Sequence, residues 1–222
     1  MQQLVLELAP PPAPTLENFF PGRNQAALAA LREALAGGER VVYLWGGPGS
    51  GKTHLLRAAV KEAEARGRAA RYVAAPHEEL VRATRWELLA VDDVERLDAA
   101  AQGTLFDAFN AAKVAGASLI AAGAQPAAEA PLREDLRTRL ASGVSLRLAP
   151  LEDAEKAAAL VGHAAQRGLR LGPELLAYVL THCRRDMGTQ IAVLDALDRY
   201  SLQEKRPVTL PLLREALKQF GN

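Results

Sequence analysis

The residues with the clearest chemistry form one uninterrupted stretch, Gly46-Gly47-Pro48-Gly49-Ser50-Gly51-Lys52-Thr53. Its four glycines allow a tight turn in which several backbone N–H groups converge on one anion. In a loop of this pattern the lysine reaches the β- and γ-phosphates of a nucleotide, and the threonine hydroxyl binds Mg²⁺. The stretch therefore predicts a site for ADP or ATP, with Thr53 as a magnesium ligand.

The segments on either side of this loop support the prediction. The apolar run 41–45 precedes it and is predicted to be a strand, and residues 54–66 follow as a predicted helix. Strand, glycine loop and helix in this order are the context that a phosphate-binding loop requires. The helix directs the positive end of its dipole at the same anion. The alternative, a glycine-rich turn that binds nothing, is disfavoured by the match at all eight positions.

Two adjacent carboxylates form a second candidate group. The apolar run 88–91 ends in Asp92 and Asp93. A continuous apolar run is typical of a buried parallel strand, and ligands bind beyond the carboxyl ends of such strands. We therefore expect both acids beside the phosphate loop, with Asp92 as a magnesium ligand and Asp93 orienting the attacking water. The alternative role, a helix N-cap after a strand, suits Asp98 better.

The composition excludes several classes of protein. The chain of 222 residues has a formal net charge of +1, which argues against a dedicated DNA-binding surface. Its one cysteine, Cys183, allows neither a disulfide framework nor zinc spacing, and its four histidines are scattered. No apolar stretch approaches the length of a membrane span, so the cytoplasm is the expected location.

The order of the predicted elements indicates two domains. Strand and helix patterns alternate up to Pro150, with further strands predicted at 70–73, 118–122 and 144–148. This alternation predicts an α/β domain over 15–149, with a five-stranded parallel sheet between layers of helices. After Pro150 the apolar residues recur at helical spacing only, which predicts a small all-α domain over 150–222. The helices of this second domain are predicted at 152–166, 173–182, 186–201 and 210–220. In the first domain, a further helix is predicted at 77–82.

The N-terminal segment, residues 1–14, has a pattern of its own. Leu4, Leu6 and Leu8 alternate, and a proline-rich stretch follows. Leucines at period two give an extended peptide one apolar face, which suits a groove on a partner. The alternative is a first strand in the chain's own sheet, and the periodicity leaves both open.

A compact turn with two aromatics, Phe19 and Phe20, leads to Asn24, which is predicted to start the first helix. The two rings either line an adenine pocket or belong to the core. Leu105, Phe106 and Phe109 are predicted to point inward from the helix over 99–113. The arginines of the predicted helix 132–140 have no function that spacing alone reveals.

The whole chain resembles AAA+ ATPases of the DnaA branch and, within it, the Hda family of DnaA-homologous regulators. The resemblance is carried by the turn from Asn18 to Asn24, the phosphate loop continuing into His54, the triplet Val91-Asp92-Asp93 and the helical lid. In the lid, the matching stretches are Pro150 to Lys156, Arg185-Asp186-Met187 and Leu194 to Asp198. The resemblance implies a P-loop AAA+ domain followed by an all-α lid.

The resemblance also implies roles for single residues. Arg139 matches the arginine finger, which reaches into the nucleotide site of a neighbouring protomer and acts there as a catalytic group. Arg185 matches the sensor arginine of the lid, near this chain's own nucleotide, and His54 adjoins the same site. The chain departs from the family at Ala124, where a polar sensor residue usually follows the fourth strand.

The N-terminal segment resembles the short peptide by which the Hda family docks on the β sliding clamp, with Gln3, Leu4, Leu6 and Leu8 as the contacting residues. The resemblance therefore favours the partner peptide over the strand. Any contact with DNA is expected to be indirect, through the clamp. We expect neither the N-terminal interaction domain nor the C-terminal DNA-binding domain of DnaA in this chain. The sequence leaves self-association open.

Three functions follow as expectations. In the first, the protein is a regulator of replication initiation that binds ADP or ATP, docks on the DNA-loaded clamp and stimulates hydrolysis of DnaA-bound ATP. In the second, it is an autonomous AAA+ ATPase, a loader or remodeller. A nucleotide-sensing adaptor unrelated to DnaA is the third. Ala124 and the clamp-like peptide favour the first, whereas the complete phosphate loop with Asp92 and Asp93 favours the second.

Overall fold

The computed structural model describes residues 12–38, 40–76, 86–184 and 186–220, with the backbone alone described at 218–220. The chain divides into two compact units. One spans Pro14–Pro150, and the other contains the residues from Leu151 onward.

The first unit is built on a five-stranded sheet whose neighbouring strands are all parallel. The strands are β1 Val41–Trp45, β2 Ala70–Ala74, β3 Leu88–Asp92, β4 Ser118–Gly123 and β5 Val144–Arg147, in the spatial order β2-β3-β4-β1-β5. Every residue of β3 and β4 is buried, as expected for strands that are covered on both faces. The predicted five-stranded parallel sheet is confirmed.

Helices cover the two faces of this sheet. They are α1 Gln25–Leu35, α2 Lys52–Ala65, α3 Ala99–Ala115 and α4 Glu134–Ala141, with short 3-10 turns at Val94–Arg96 and Ala127–Glu129. Because side chains alternate along a strand, Val42 and Leu44 pack in the core cluster with α1 and α2, while Tyr43 packs with α3 and α4. The result is the predicted three-layer arrangement.

Asn24 has a role that its local sequence does not suggest. The first helix does begin directly after it, at Gln25, but the Asn24 side chain forms no capping hydrogen bond. Its Nδ2 donates to the Ala149 carbonyl at 2.8 Å, and its Oδ1 accepts from the Ala149 N–H at 2.9 Å. This pair of bonds fixes the start of α1 to the segment that leaves β5.

In the second unit, the described residues form helices and connecting turns. The helices are α5 Asp153–Gln166, α6 Pro173–His182, α7 Met187–Glu204 and α8 Leu210–Phe220, each within three residues of its predicted bounds. A capping box on Glu152 and Glu155 starts α5. Leu160, Val179 and Leu197 are buried in the core of this unit. The predicted all-α lid is confirmed.

Two of the predicted segments lie outside the described residues: the N-terminal peptide up to residue 11 and the helix at 77–82. Among the helices that the structure describes, none is long and apolar enough to cross a membrane.

Candidate functional site

The glycine loop lies where the sequence predicts it, between β1 and the first turn of α2. The helix begins at Lys52, two residues earlier than predicted. The Lys52 ammonium donates to the Gly46 carbonyl at 2.7 Å and to the Gly47 carbonyl at 3.2 Å. The lysine charge is therefore held at the mouth of the loop, which is also the positive end of the α2 dipole.

Ser50 provides a further polar group inside the loop. The residue is 4% exposed, and its buried Oγ has no hydrogen-bond partner among the described residues. Because a buried hydroxyl without a partner costs free energy, such a group is expected to meet a ligand. The loop residues thus fit a phosphate group, with backbone N–H groups, a lysine and a free hydroxyl around one turn.

Phe19 covers the last glycine of the loop. Gly51 has φ +97°, and a Cβ built on it would lie 2.7 Å from Phe19 Cε2. The ring also packs against the core cluster on the α1 and α2 face, and its centroid lies 5.6 Å from that of His54. Of the two predicted roles for Phe19, the core role is present, and the same ring touches the phosphate loop.

The His54 ring is engaged within the protein. Its Nε2 lies 3.0 Å from the Thr15 carbonyl oxygen. Since a carbonyl only accepts, the proton of the neutral ring is on Nε2. Burial lowers the pKa of His54, and the hydrogen bond to Thr15 opposes that shift. This histidine, predicted to adjoin the nucleotide, fixes the N-terminal turn to the helix that follows the loop.

The two predicted magnesium ligands are in contact. The Thr53 hydroxyl donates to Asp92 Oδ2 at 2.6 Å, and the Asp93 N–H donates to Asp92 Oδ1 at 3.1 Å. Asp92 is 2% exposed, so these bonds orient a buried carboxylate. A hydroxyl can donate one hydrogen bond and still offer a lone pair, and Mg²⁺ prefers oxygen ligands. Thr53 and Asp92 therefore fit a magnesium ion beside the loop.

Tyr72 belongs to this group, although sequence reasoning missed it. Its hydroxyl donates to Asp92 Oδ2 at 3.0 Å. Tyr72 and Ala74 of β2 pair in register with Ala90 and Asp92 of β3, which puts the tyrosine on the same face of the sheet as the carboxylate. A polar residue near the end of the predicted second strand is the only signal that the sequence offered.

Asp93 has an unusual backbone for a residue other than glycine. Its φ is 52°, a left-handed conformation that aspartate tolerates better than most residues. Its carboxylate lies 3.6 Å from the Arg96 guanidinium in a partly exposed ion pair. The Asp93 side chain is thus partly exposed, whereas the neighbouring Asp92 is buried.

The end of β4 is closed by a tyrosine from β1. A Cβ on Gly123 would overlap the Tyr43 hydroxyl, and that hydroxyl donates to the Gln125 carbonyl at 2.8 Å. Burial and the neighbouring Glu95 raise the pKa of Tyr43, so it remains a donor. Ala124, where the resemblance predicts a polar sensor residue, is exposed.

Arg139 lies on α4, on the opposite face of the sheet from α2. The residue is half-buried, and its guanidinium carbon lies 5.7 Å from the ring centroid of Phe106 and 5.6 Å from that of Phe109. Both rings belong to α3, and both side chains are among those predicted to point inward from that helix. Within the described part of the chain, no carboxylate forms a salt bridge with Arg139.

Comparison with known families agrees with this geometry. The family model for the bacterial DnaA ATPase domain matches residues 12–147, and the model for the Hda lid domain matches residues 153–217. The chain belongs to the Hda family of DnaA homologues. An uncharacterized protein from Haemophilus influenzae is 36% identical to this Hda-family chain over 214 residues, which are 91% of this chain and 93% of that protein.

Solved structures of DnaA share the fold. Domain III of DnaA from Thermotoga maritima superposes with a TM-score of 0.71 at 21% identity, covering 96% of this chain and 98% of that one. AMPPCP-bound DnaA from Aquifex aeolicus superposes with a TM-score of 0.67 at 25% identity, covering 87% and 70%. Membership of the Hda family with a DnaA-type ATPase domain implies that the chain binds a nucleotide.

Several predicted site residues lie outside the described residues. Arg185, the predicted sensor of the Hda-type lid, is one of them. The predicted clamp-binding residues Gln3, Leu4, Leu6 and Leu8 are the others. The described site therefore comprises the loop, Thr53, Asp92 and Tyr72, with Arg139 on a separate face of the same unit.

Proposed function

We propose that this protein is a nucleotide-binding regulator of replication initiation, which stimulates hydrolysis of DnaA-bound ATP while it is docked on the DNA-loaded sliding clamp. Membership of the Hda family and the DnaA-type ATPase domain support a partner of the DnaA type. The single observation that carries the proposal is the environment of Arg139.

Arg139 is held in a way that suits a group acting on another molecule. Its guanidinium carbon lies 5.7 and 5.6 Å from the centroids of two phenylalanine rings. Aromatic faces orient a guanidinium without neutralising it, so its donors remain available to an anion. An arginine inserted into the nucleotide site of DnaA stabilises charge on the transferring phosphoryl group, which is worth about 10³–10⁵ in rate in comparable systems.

The remaining site residues hold this protein's own nucleotide. The loop N–H groups and Lys52 bind the phosphates, and Thr53 and Asp92 bind Mg²⁺, which neutralises phosphate charge when it is bound. In this proposal the bound ADP or ATP orders the ATPase unit that presents Arg139, while the hydrolysed ATP belongs to DnaA. The exposed Ala124 supports this division, because it provides no polar group to contact a γ-phosphate.

The decisive experiment measures ATP turnover by DnaA with DNA-loaded clamp and this protein. Arg139→Ala is expected to abolish the stimulation and to leave ADP binding unchanged. Arg137→Ala is the matched control, because it removes the same charge from the same helix two residues away. Normal stimulation by Arg139→Ala, or equal losses in both variants, would contradict the finger assignment.

The clamp contact is proposed from the N-terminal sequence and needs its own test. Gln3→Ala combined with Leu6→Ala is expected to abolish binding to immobilised clamp, whereas Gln2→Ala, a change of the same kind one residue away, retains it. Circular dichroism should show the same helical content in all three proteins. Loss of the fold in the double variant would favour a strand within the protein's own sheet.

A second candidate, an autonomous AAA+ ATPase, is favoured by one observation: Thr53 and Asp92 form the contact expected of a working magnesium site. Steady ATP turnover by the protein alone, abolished by Asp93→Asn, would support this function. Turnover that requires DnaA and is insensitive to Asp93→Asn would support the regulator.

A further inference from the structure

Asp92 is the most constrained polar side chain of the site. Its Oδ2 accepts hydrogen bonds from Thr53 at 2.6 Å and from Tyr72 at 3.0 Å, and its Oδ1 accepts from the Asp93 N–H at 3.1 Å. The sequence already predicts roles in the nucleotide site for Thr53 and Asp93. Tyr72 instead comes from β2, a strand that contributes no other side chain to the group. The tyrosine thus joins the edge of the sheet to the magnesium side of the site.

The Tyr72 ring is itself in contact with a residue of α2. The Arg57 guanidinium carbon lies 4.5 Å from the ring centroid, a cation–π contact. Arg57 follows Thr53 by one helical turn, so the two side chains are on the same side of α2, toward β2 and β3. One helix therefore supplies both a ligand candidate that contacts Asp92 and the arginine that holds the second donor to Asp92.

The Tyr72 hydroxyl is a stable donor. Burial and the nearby Asp92 carboxylate raise the pKa of Tyr72 to about 12, although Arg57 opposes the shift. In its contact with Asp92 the hydroxyl is the donor, because a carboxylate only accepts. A neutral donor fixes a carboxylate without adding a competing negative charge.

We infer that Tyr72, with Arg57 against its ring, is a positioning residue for the magnesium side of the nucleotide site, because its hydroxyl fixes the Asp92 carboxylate in the orientation from which that carboxylate serves Mg²⁺. This inference rests on the proposed nucleotide and magnesium site and adds a residue to it. Residues that orient a metal ligand contribute substantially to affinity, since their loss costs about 10–100-fold in metal binding.

The test is a titration of Mg²⁺ into the protein with the fluorescent nucleotide mant-ADP, compared with mant-ADP binding in EDTA. Tyr72→Phe keeps the ring under Arg57 and removes only the hydroxyl. We expect it to weaken the Mg²⁺-dependent part of binding by about 10-fold and to leave binding in EDTA unchanged. Tyr43→Phe is the matched control, because it also removes one hydroxyl bond from the same sheet, and it should retain the wild-type Mg²⁺ dependence.

Arg57→Met provides a second variant at an exposed position, where folding is not at risk. It removes the cation and keeps an unbranched stem over the ring, so we expect a smaller loss in the same direction. Full Mg²⁺ dependence in Tyr72→Phe, or equal losses with Mg²⁺ and with EDTA, would overturn the positioning role. Identical binding by the wild-type protein with Mg²⁺ and EDTA would instead overturn the magnesium site itself, and the inference with it.

Discussion

Asn24 and Ala149, 125 positions apart in the chain, are joined by two hydrogen bonds that use both ends of the asparagine amide. The amide satisfies the N–H and the carbonyl of one backbone residue, as a neighbouring strand would. Asn24 is 4% exposed, so water does not easily replace it. These two hydrogen bonds consequently hold the start of α1 against the segment that leaves β5.

Asn24→Ala should therefore destabilise the protein strongly. It leaves the N–H and the carbonyl of Ala149 without partners, which costs about 2–3 kcal/mol in the free energy of unfolding. Urea unfolding measures the change. Asn110→Ala on the half-exposed side of α3 is the control and should cost less than about 0.5 kcal/mol. Equal costs in the two variants would contradict the structural role of the Asn24 amide.

Gly51→Ala should damage the phosphate loop. At φ +97° a side chain is strained, and its Cβ would lie 2.7 Å from the Phe19 ring. We expect a loss of about 1–3 kcal/mol in stability and weaker binding of mant-ADP. In Gly47→Ala the Cβ meets no atom within 4 Å, so the stability should stay at the wild-type value. A stable Gly51→Ala protein with normal nucleotide binding would refute the contact with Phe19.

His54 predicts a pH dependence of stability with a definite sign. Burial lowers its pKa in the folded state, so the unfolded chain binds a proton more readily. The contribution of the neutral ring is complete above about pH 6.5 and is lost as the pH falls through the folded pKa. The gap in unfolding free energy between wild type and His54→Gln should thus shrink from pH 7.5 to pH 5.5. A gap that is constant or widens with acidity would disprove this role.

Cys183 offers a test of the second unit. It is the only cysteine, it is 1% exposed, and burial raises its pKa to about 11. Since the thiolate is the reactive form, modification by a disulfide reagent at pH 8 should be at least about 100-fold slower in the native protein than in guanidinium chloride. Rapid labelling of the folded protein would show that the region around α6 is open in solution.

The parts of the site that the sequence predicts are those whose geometry follows from local pattern. The eight loop positions determine a turn and a helix start, and parallel strands bring their carboxyl ends to one edge. Together these rules placed Thr53 near Asp92, although 39 positions separate them. The helix began at Lys52 instead of His54 because Gly51, in a left-handed conformation, serves as its N-cap.

The parts that the sequence does not predict depend on register and long-range contact. The hydroxyl of Tyr72 reaches Asp92 only because Ala74 pairs with Asp92, and no local pattern specifies which residues of two strands lie side by side. Asn24 precedes a helix, where its local preference is to cap; the backbone groups of Ala149 compete successfully for the same amide. No local pattern in the sequence predicts that the Arg139 guanidinium lies over the rings of Phe106 and Phe109.

Tyr43 of β1, which packs against the end of β4, determines which residue there can be replaced by a larger one. Gly123 has no room for any side chain, because the Tyr43 hydroxyl fills the space. Ala124, one residue later, is exposed and accepts a larger group into solvent. A polar side chain can therefore be introduced at Ala124 without disturbing the packing around Tyr43, whereas any side chain at Gly123 would displace that tyrosine.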